Sequence, residues 1–104
     1  LKLFSKLINI SSGRSWVTEV NNPVPGVNES CPSSKNYSGG FSSRLMLKDI
    51  SLALDACREN DMNMLALQAA NEYFSQMIGK DMKSARKDMS YLYQYILNQS
   101  TNKP

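Results

Sequence analysis

Apolar side chains recur with a helical period throughout the second half of the chain, beginning at Phe41. Three stretches show the pattern, at residues 41–58, 63–78 and 85–98, and their apolar positions lie three or four residues apart. This spacing puts apolar side chains on one face of an α-helix, whereas a half-buried strand would alternate apolar and polar residues. No stretch of convincing length alternates in that way, so the sequence predicts an all-α fold.

The main apolar row of the predicted helix at 41–58 consists of Met46, Ile50, Ala53 and Cys57. Leucines flank this row on both sides, so the apolar surface is much wider than a single row. We therefore expect this helix to be covered on most of its sides. In the second predicted helix, Gly79 directly follows the last apolar position, which indicates that the helix ends there.

The first 40 residues contain less regular structure. Residues 1–9 have the apolar pattern of a short helix, and residues 14–20 predict a further short turn. In residues 21–40, 14 of 20 positions are Asn, Pro, Ser or Gly, so a long loop is expected. A connection of this length is usually functional or lies over a partner. The chain begins inside an apolar pattern with no capping residue before it, so we expect it to be part of a longer protein.

The residue types present exclude several kinds of chemistry within this chain. It contains no histidine, which excludes histidine-based triads and histidine metal ligands. Its two cysteines, Cys31 and Cys57, have no metal-binding spacing. We interpret them as two reduced thiols, with a Cys31–Cys57 disulfide as the alternative.

Charge and hydropathy argue against nucleic-acid and membrane partners. The formal net charge is +3, but the basic residues are dispersed, and acidic residues interrupt the densest cluster at 80–87. No apolar run approaches the ~20 residues that a membrane span requires, and no signal peptide is recognisable.

A lysine and an aspartate stand side by side in the leucine-rich predicted helix. On a helical wheel Lys48 lies at the margin of the polar face, on the same side as Phe41, and Asp49 lies inside the apolar arc. Lys48 is interpreted either as a solvated residue whose stem covers the core or as a cation that grips an anionic ligand beside the Phe41 ring. Asp49 would need a partner, so we expect it to cap a neighbouring helix or to bind loop amides.

Four segments carry a resemblance to a known family. INISSGRSW (8–16), NPVPGV (22–27), NYSGGF (36–41) and the pattern L-x-L-K-D-I-x-L-A (45–53) resemble the β-hydroxyacid dehydrogenase family in order and spacing. The resemblance extends from about Leu3 to Leu97, and the pairing of SSGRSW with NPVPGV is typical of its 3-hydroxyisobutyrate dehydrogenases.

The resemblance implies an enzyme of two domains, a Rossmann domain that binds NAD and a helical domain that closes over the nicotinamide. Residues 1–104 correspond to the later part of the helical domain. The G-x-G-x-x-G fingerprint, the serine-glycine-glycine substrate loop and the K-x-x-N-N context of the catalytic lysine have no counterpart in this sequence. No residue of this chain therefore inherits a catalytic role.

Two residues inherit a cofactor-binding role from the resemblance. Lys48 matches the lysine of the L-x-x-K-D motif, which contacts the cofactor near its nicotinamide end. Phe41 matches the aromatic residue after the two glycines and is expected to wall the nicotinamide and substrate pocket. By the same resemblance Asp49 is architectural, and Arg14 and Trp16 support the loop or form a subunit contact.

The implied reaction is hydride transfer from 3-hydroxyisobutyrate to NAD, which gives methylmalonate semialdehyde in valine catabolism. The complete enzyme would be a homo-oligomer without a metal, in the mitochondrial matrix of a eukaryote or the cytoplasm of a bacterium, and these residues alone would be inactive. Two alternatives stay open. One is a non-catalytic helical module for dimerisation or interaction; the other is a related dehydrogenase for another β-hydroxyacid, such as tartronate semialdehyde or succinic semialdehyde.

Overall fold

The computed structural model describes residues 1–101, and within this range it is helical with no β-strand. The prediction of an all-α fold is confirmed for these residues; positions 102–104 of the predicted helical domain lie outside the described range. The α-helices are α1 (Lys2–Asn9), α2 (Trp16–Glu19), α3 (Ser43–Glu59), α4 (Leu65–Lys80) and α5 (Leu92–Thr101). Single 3₁₀ turns occur at Pro32–Lys35, Met82–Arg86 and Met89–Tyr91.

The core lies between α3 and α4. Ile50 and Leu54 have i, i+4 spacing on α3, and Phe74 and Met77 have i, i+3 spacing on α4, so each pair lies on one face of its helix. These four side chains are buried and form one cluster, against which α5 adds Leu92 and Tyr95 at the edge. The predicted main apolar row of α3 is therefore correct at Ile50 and wrong at Ala53, which is exposed, because the face that meets α4 turns toward Leu54.

The predicted end of α4 at Gly79 is wrong. The helix continues through Gly79 to Lys80, and Gly79 does not have the positive φ that makes glycine a helix stop. The helix ends at Asp81, whose extended backbone leaves the helical path. The Asp81 carboxylate accepts a hydrogen bond from the Lys83 amide at 3.0 Å and so begins the following 3₁₀ turn.

The third predicted helix, at 85–98, is only partly correct. Its first residues form 3₁₀ turns, and the α-helix begins at Leu92. The interruption lies at Asp88, whose φ of −52° and ψ of 146° are not helical. The Asp88 amide donates to the Tyr37 carbonyl at 2.9 Å, a bond to the long loop that competes with the local helix.

The long loop at 21–40 is held by its own polar groups and contains one 3₁₀ turn. The Asn22 carbonyl accepts from the Ser33 hydroxyl at 2.6 Å, and the Tyr37 hydroxyl donates to the Pro23 carbonyl at 2.8 Å. The Tyr37 ring is buried and packs edge-on against Tyr91 with centroids 5.2 Å apart. Both cysteines are free thiols, as the sequence interpretation preferred.

Two apolar faces are exposed, so the expectation that α3 is covered on most sides is wrong for the chain as described. Leu45 and Leu52 of α3 are 41% and 59% exposed, because α4 and the 3₁₀ turns cover only the opposite side. No residue of α1 is buried, and its Leu3, Phe4 and Leu7 face outward. None of the helices in residues 1–101 combines the length and apolar composition needed to cross a bilayer.

Candidate functional site

Two signature segments that are well separated in sequence meet at one cleft of about 240 Å³. Trp16 comes from the first segment and Phe41 from the third, and both rings are partly exposed at the cleft. We call this the aromatic cleft. Its lining consists of Trp16, Val20, Asn21, Ser30, Cys31, Pro32, Gly40, Phe41 and Asp88.

Trp16 is positioned by the capped turn of α2. The Ser15 hydroxyl accepts from the Thr18 amide at 3.1 Å, and the Thr18 hydroxyl accepts from the Ser15 amide at 2.9 Å. This reciprocal capping begins the helix immediately before the tryptophan. Arg14 pairs with Glu19 at 3.0 Å across the same turn, so in this structure it supports α2.

Phe41 is held by a fully buried carboxylate, Asp88. One carboxylate oxygen accepts the Phe41 amide at 2.8 Å. The other accepts the Ser90 amide at 3.0 Å, the Ser90 hydroxyl at 2.6 Å and the Asn21 side-chain amide at 3.2 Å. Four donors therefore replace the water that a buried carboxylate loses.

Gly40 is required where Asp88 approaches the backbone. A Cβ at this position would overlap Asp88 Oδ1 and would lie 2.9 Å from Pro32 Cγ. Its φ of +67° is in the left-handed region, which also favours glycine. The second glycine of the NYSGGF segment thus allows the buried carboxylate to reach Phe41.

The backbone on both sides of Phe41 is also paired with the segment around Asp88. The Phe41 carbonyl accepts from the Met89 amide at 2.8 Å, and the Ser43 amide donates to the Lys87 carbonyl at 2.8 Å. Between them, Ser42 and Asp88 form an isolated antiparallel bridge. The Phe41 backbone is thereby restrained at both its amide and its carbonyl.

Lys48 lies on the exposed surface of α3 and does not line the aromatic cleft. Its side chain is 58% exposed, and its Nζ lies 2.8 Å from Asp49 Oδ1. The helical wheel placed Lys48 beside Phe41 because it extended the helix to residue 41. In the structure α3 begins at Ser43, so Phe41 lies in the segment before the helix and lines the cleft beside the loop.

The prediction that Asp49 caps a helix or binds loop amides is wrong. Its side chain is 50% exposed, and its partner is the neighbouring Lys48. The reason is that the apolar arc around it is not covered within this chain, as Leu45 and Leu52 show. The carboxylate that performs the expected task is Asp88, which the sequence analysis did not single out.

A signal for Asp88 is nevertheless present in the sequence. Asp followed two residues later by Ser is typical of a carboxylate that receives backbone and hydroxyl hydrogen bonds at the start of a helix. The apolar period of 85–98 continued through this position and concealed the break. No group of three potential metal ligands comes together within residues 1–101.

Comparisons with known proteins identify the family of the chain. The model of the family described as "NAD-binding of NADP-dependent 3-hydroxyisobutyrate dehydrogenase" matches residues 1–96. The chain is 40% identical over 100 residues to the mitochondrial 3-hydroxyisobutyrate dehydrogenase of Rattus norvegicus and 38% identical over 100 residues to that of Homo sapiens. Each match covers 96% of this chain and 29% of the relative.

A solved structure of the Mycobacterium tuberculosis 3-hydroxyisobutyrate dehydrogenase with L-serine is similar in fold. It superposes with a TM-score of 0.84 at 26% sequence identity, over 91% of this chain and 32% of that chain. The chain therefore spans about a third of the length of the proteins that it matches.

Proposed function

The chain belongs to the family of NAD-binding domains of 3-hydroxyisobutyrate dehydrogenase, and we propose that it serves an NAD-dependent enzyme that oxidises 3-hydroxyisobutyrate to methylmalonate semialdehyde. In this proposal the chain is the later part of a helical domain that closes over the nicotinamide, and a Rossmann domain and a catalytic lysine lie upstream. The observation that carries the proposal is the meeting of two signature segments, with two exposed aromatic rings, at one cleft.

The aromatic cleft fits one end of a cofactor or a short acid. Its volume of about 240 Å³ is below the ~300–1,000 Å³ of pockets that enclose whole drug-sized ligands, so it would take a ring or a small hydroxyacid. The Phe41 and Trp16 rings offer flat apolar surfaces for stacking. Asn21 is buried at the cleft, and its Oδ1 has no hydrogen-bond partner within the described structure, so it could accept from a ligand amide or hydroxyl.

Lys48 fits the polar part of the cofactor. An ammonium group has three donors, and its exposed partner Asp49 uses only part of this capacity. Because both side chains of the pair are at least half exposed, the pair contributes little stability and can be rearranged by a ligand. We assign Lys48 and Phe41 as the cofactor-binding residues of this chain. Lys48 lies outside the cleft, and Phe41 forms a wall of the cleft that the nicotinamide and the hydroxyacid would share.

The mechanism divides between this chain and the rest of the enzyme. Bound NAD would supply the hydride acceptor. The apolar rings of Phe41 and Trp16 would exclude water from the reacting carbon, and Lys48 would hold the cofactor in place. The proton of the substrate hydroxyl would pass to the upstream lysine, since none of the lysines in this sequence stands in the K-x-x-N-N context of the family's catalytic lysine.

Location and assembly of the complete enzyme follow the same proposal. The rat and human relatives are named mitochondrial, which supports the mitochondrial matrix for a eukaryotic enzyme; a bacterial enzyme would be cytoplasmic. The exposed apolar faces of α1 and α3 support burial against the rest of the enzyme or against a second copy in a homo-oligomer.

The test uses the full-length protein and follows NADH formation in the presence of 3-hydroxyisobutyrate. Lys48→Ala should raise the KM for NAD about tenfold through loss of one charged contact, with little change in the unfolding midpoint. Lys35→Ala removes an exposed lysine of the loop and serves as the matched control. No NADH formation with 3-hydroxyisobutyrate would overturn the substrate assignment. So would NADH consumption in the reverse reaction with tartronate semialdehyde or succinic semialdehyde but not with methylmalonate semialdehyde.

The alternative of a non-catalytic helical module is favoured by one observation, the exposure of apolar residues on both α1 and α3. Such a module would self-associate through these faces without binding NAD. NAD titration of the same full-length protein separates the two functions, because only the enzyme binds NAD and reduces it.

A further inference from the structure

We propose that Asp88 is a positioning residue that holds Phe41 at the aromatic cleft and thereby sets the affinity for the hydroxyacid. This inference rests on the proposed function and assigns a role to a residue that lies 47 positions from Phe41 in sequence. The Asp88 side chain is completely buried, and its hydrogen-bond donors come from three segments around the cleft.

The carboxylate is an expensive group to bury for packing alone. Within residues 1–101 it has no ion pair with Lys or Arg, so its charge is compensated only by hydrogen bonds. Apolar residues would join the same segments at lower cost. Unlike an apolar side chain, the carboxylate makes directional hydrogen bonds to the Phe41 amide and to the Asn21 side chain. Both residues line the cleft.

Any displacement of this carboxylate would be transmitted to Phe41. The Phe41 amide is bound to Asp88 Oδ1, and its carbonyl is bound to the next residue along, Met89. Gly40 leaves no gap between the carboxylate and the chain. The orientation of the Phe41 side chain therefore depends on the position of the Asp88 carboxylate.

Asp88→Asn is the test variant, because it keeps the size of the side chain while removing its charge and replacing one acceptor oxygen by an NH₂ donor. An amide has one oxygen and one NH₂ group, so in either orientation its NH₂ faces a backbone N–H, that of Phe41 or that of Ser90. In the full-length enzyme we expect the KM for 3-hydroxyisobutyrate to rise about tenfold and kcat to change less than about threefold. Asp55→Asn is the matched control, since Asp55 is an exposed carboxylate on α3 that pairs with Arg58, and it should leave both constants unchanged.

A double-mutant cycle shows whether Asp88 acts through Phe41. In a Phe41→Leu background, Asp88→Asn should raise the KM by less than about twofold more, because the ring that it positions is gone. A further tenfold rise in that background would mean independent effects and would overturn the proposal. If Asp88→Asn does not fold, Ser90→Ala removes one donor to the same carboxylate and should raise the KM about threefold, with the same dependence on Phe41. An unchanged KM for Ser90→Ala would then count against the proposal.

Hydrogen exchange separates this inference from the proposed function. The Phe41 amide should exchange at least about tenfold faster in Asp88→Asn, or in Ser90→Ala if the former does not fold, and should be unaffected in Asp55→Asn. If the wild-type enzyme forms no NADH from 3-hydroxyisobutyrate, the proposed function fails, and faster exchange still supports the hold of Asp88 on Phe41. Unchanged exchange of the Phe41 amide would overturn the positioning role whatever the activity.

Discussion

Alanine substitution of three glycines should produce three different changes in the free energy of unfolding. Gly39 has a φ of +75°, and a Cβ added there would meet no atom within 4 Å, so Gly39→Ala should cost only the left-handed backbone, about 1–2 kcal/mol. Gly40 has a similar φ, but its Cβ would overlap Asp88 Oδ1 and displace it from the Phe41 amide. Loss of that charge-assisted bond adds about 1.5–3 kcal/mol, so Gly40→Ala should cost about 2.5–5 kcal/mol in total.

Gly79 provides the opposite sign as a control. It lies inside α4 without a positive φ, and a Cβ added there would enter open space, so Gly79→Ala should stabilise the protein by about 0.5–1 kcal/mol. Urea unfolding followed by circular dichroism measures all three changes. If Gly40→Ala and Gly39→Ala differ by less than about 1 kcal/mol, the close approach of Asp88 is not a constraint on this fold, and the reasoning fails.

Three further perturbations test the core, the loop and the exposed pair. Phe74→Ala empties the centre of the α3 and α4 interface and should cost about 3–5 kcal/mol in urea unfolding; a loss below about 1 kcal/mol would contradict the core assignment. Burial raises the pKa of Tyr37 above its ordinary value of 10.0, so the folded state keeps its proton more tightly than the unfolded state does. The stability that this group contributes is therefore present below pH 10 and lost as the pH rises above it. The difference in the free energy of unfolding between wild type and Tyr37→Phe should accordingly shrink above pH 10. A difference that does not depend on pH would refute this. Asp49→Ala removes an exposed neighbour pair and should change the free energy of unfolding by less than about 0.5 kcal/mol, whereas a large loss would restore the architectural role that the structure does not support.

Helix positions could be predicted where apolar packing alone decides them. The predicted range 41–58 and the observed α3 differ by two residues at the start and one at the end, because Ile50 and Leu54 must face α4. The region around Asp88 could not be predicted in the same way. Its backbone bonds go to Tyr37 and Phe41, and these long-range partners compete with the helix that the local apolar period favours.

The candidate site could likewise be predicted only where the local sequence determines the structure. The sequence predicted Phe41 at the pocket but gave Trp16 only a supporting or subunit-contact role. Their meeting at one cleft depends on how the intervening loop folds. The expectation that Asp49 binds loop amides or caps a helix also failed, because it assumed that every apolar arc of α3 is covered within the chain. Leu52 at 59% exposure shows that it is not.

The distribution of restrained and exposed surfaces is consistent with the proposed role of this chain as part of a domain that closes on another one. Buried polar contacts concentrate where the loop meets the segment around Asp88, and they restrain the Phe41 backbone at the aromatic cleft. A site that is held in its binding geometry in advance loses less conformational entropy when the ligand binds. The apolar faces of α1 and α3 have no such restraint and no cover within the described residues, so burying them against a second domain would stabilise the closed form. In the proposed enzyme, burial of the apolar faces of α1 and α3 would favour closure of the two domains. Closure would bring the restrained aromatic wall of the cleft onto the cofactor held by the other domain.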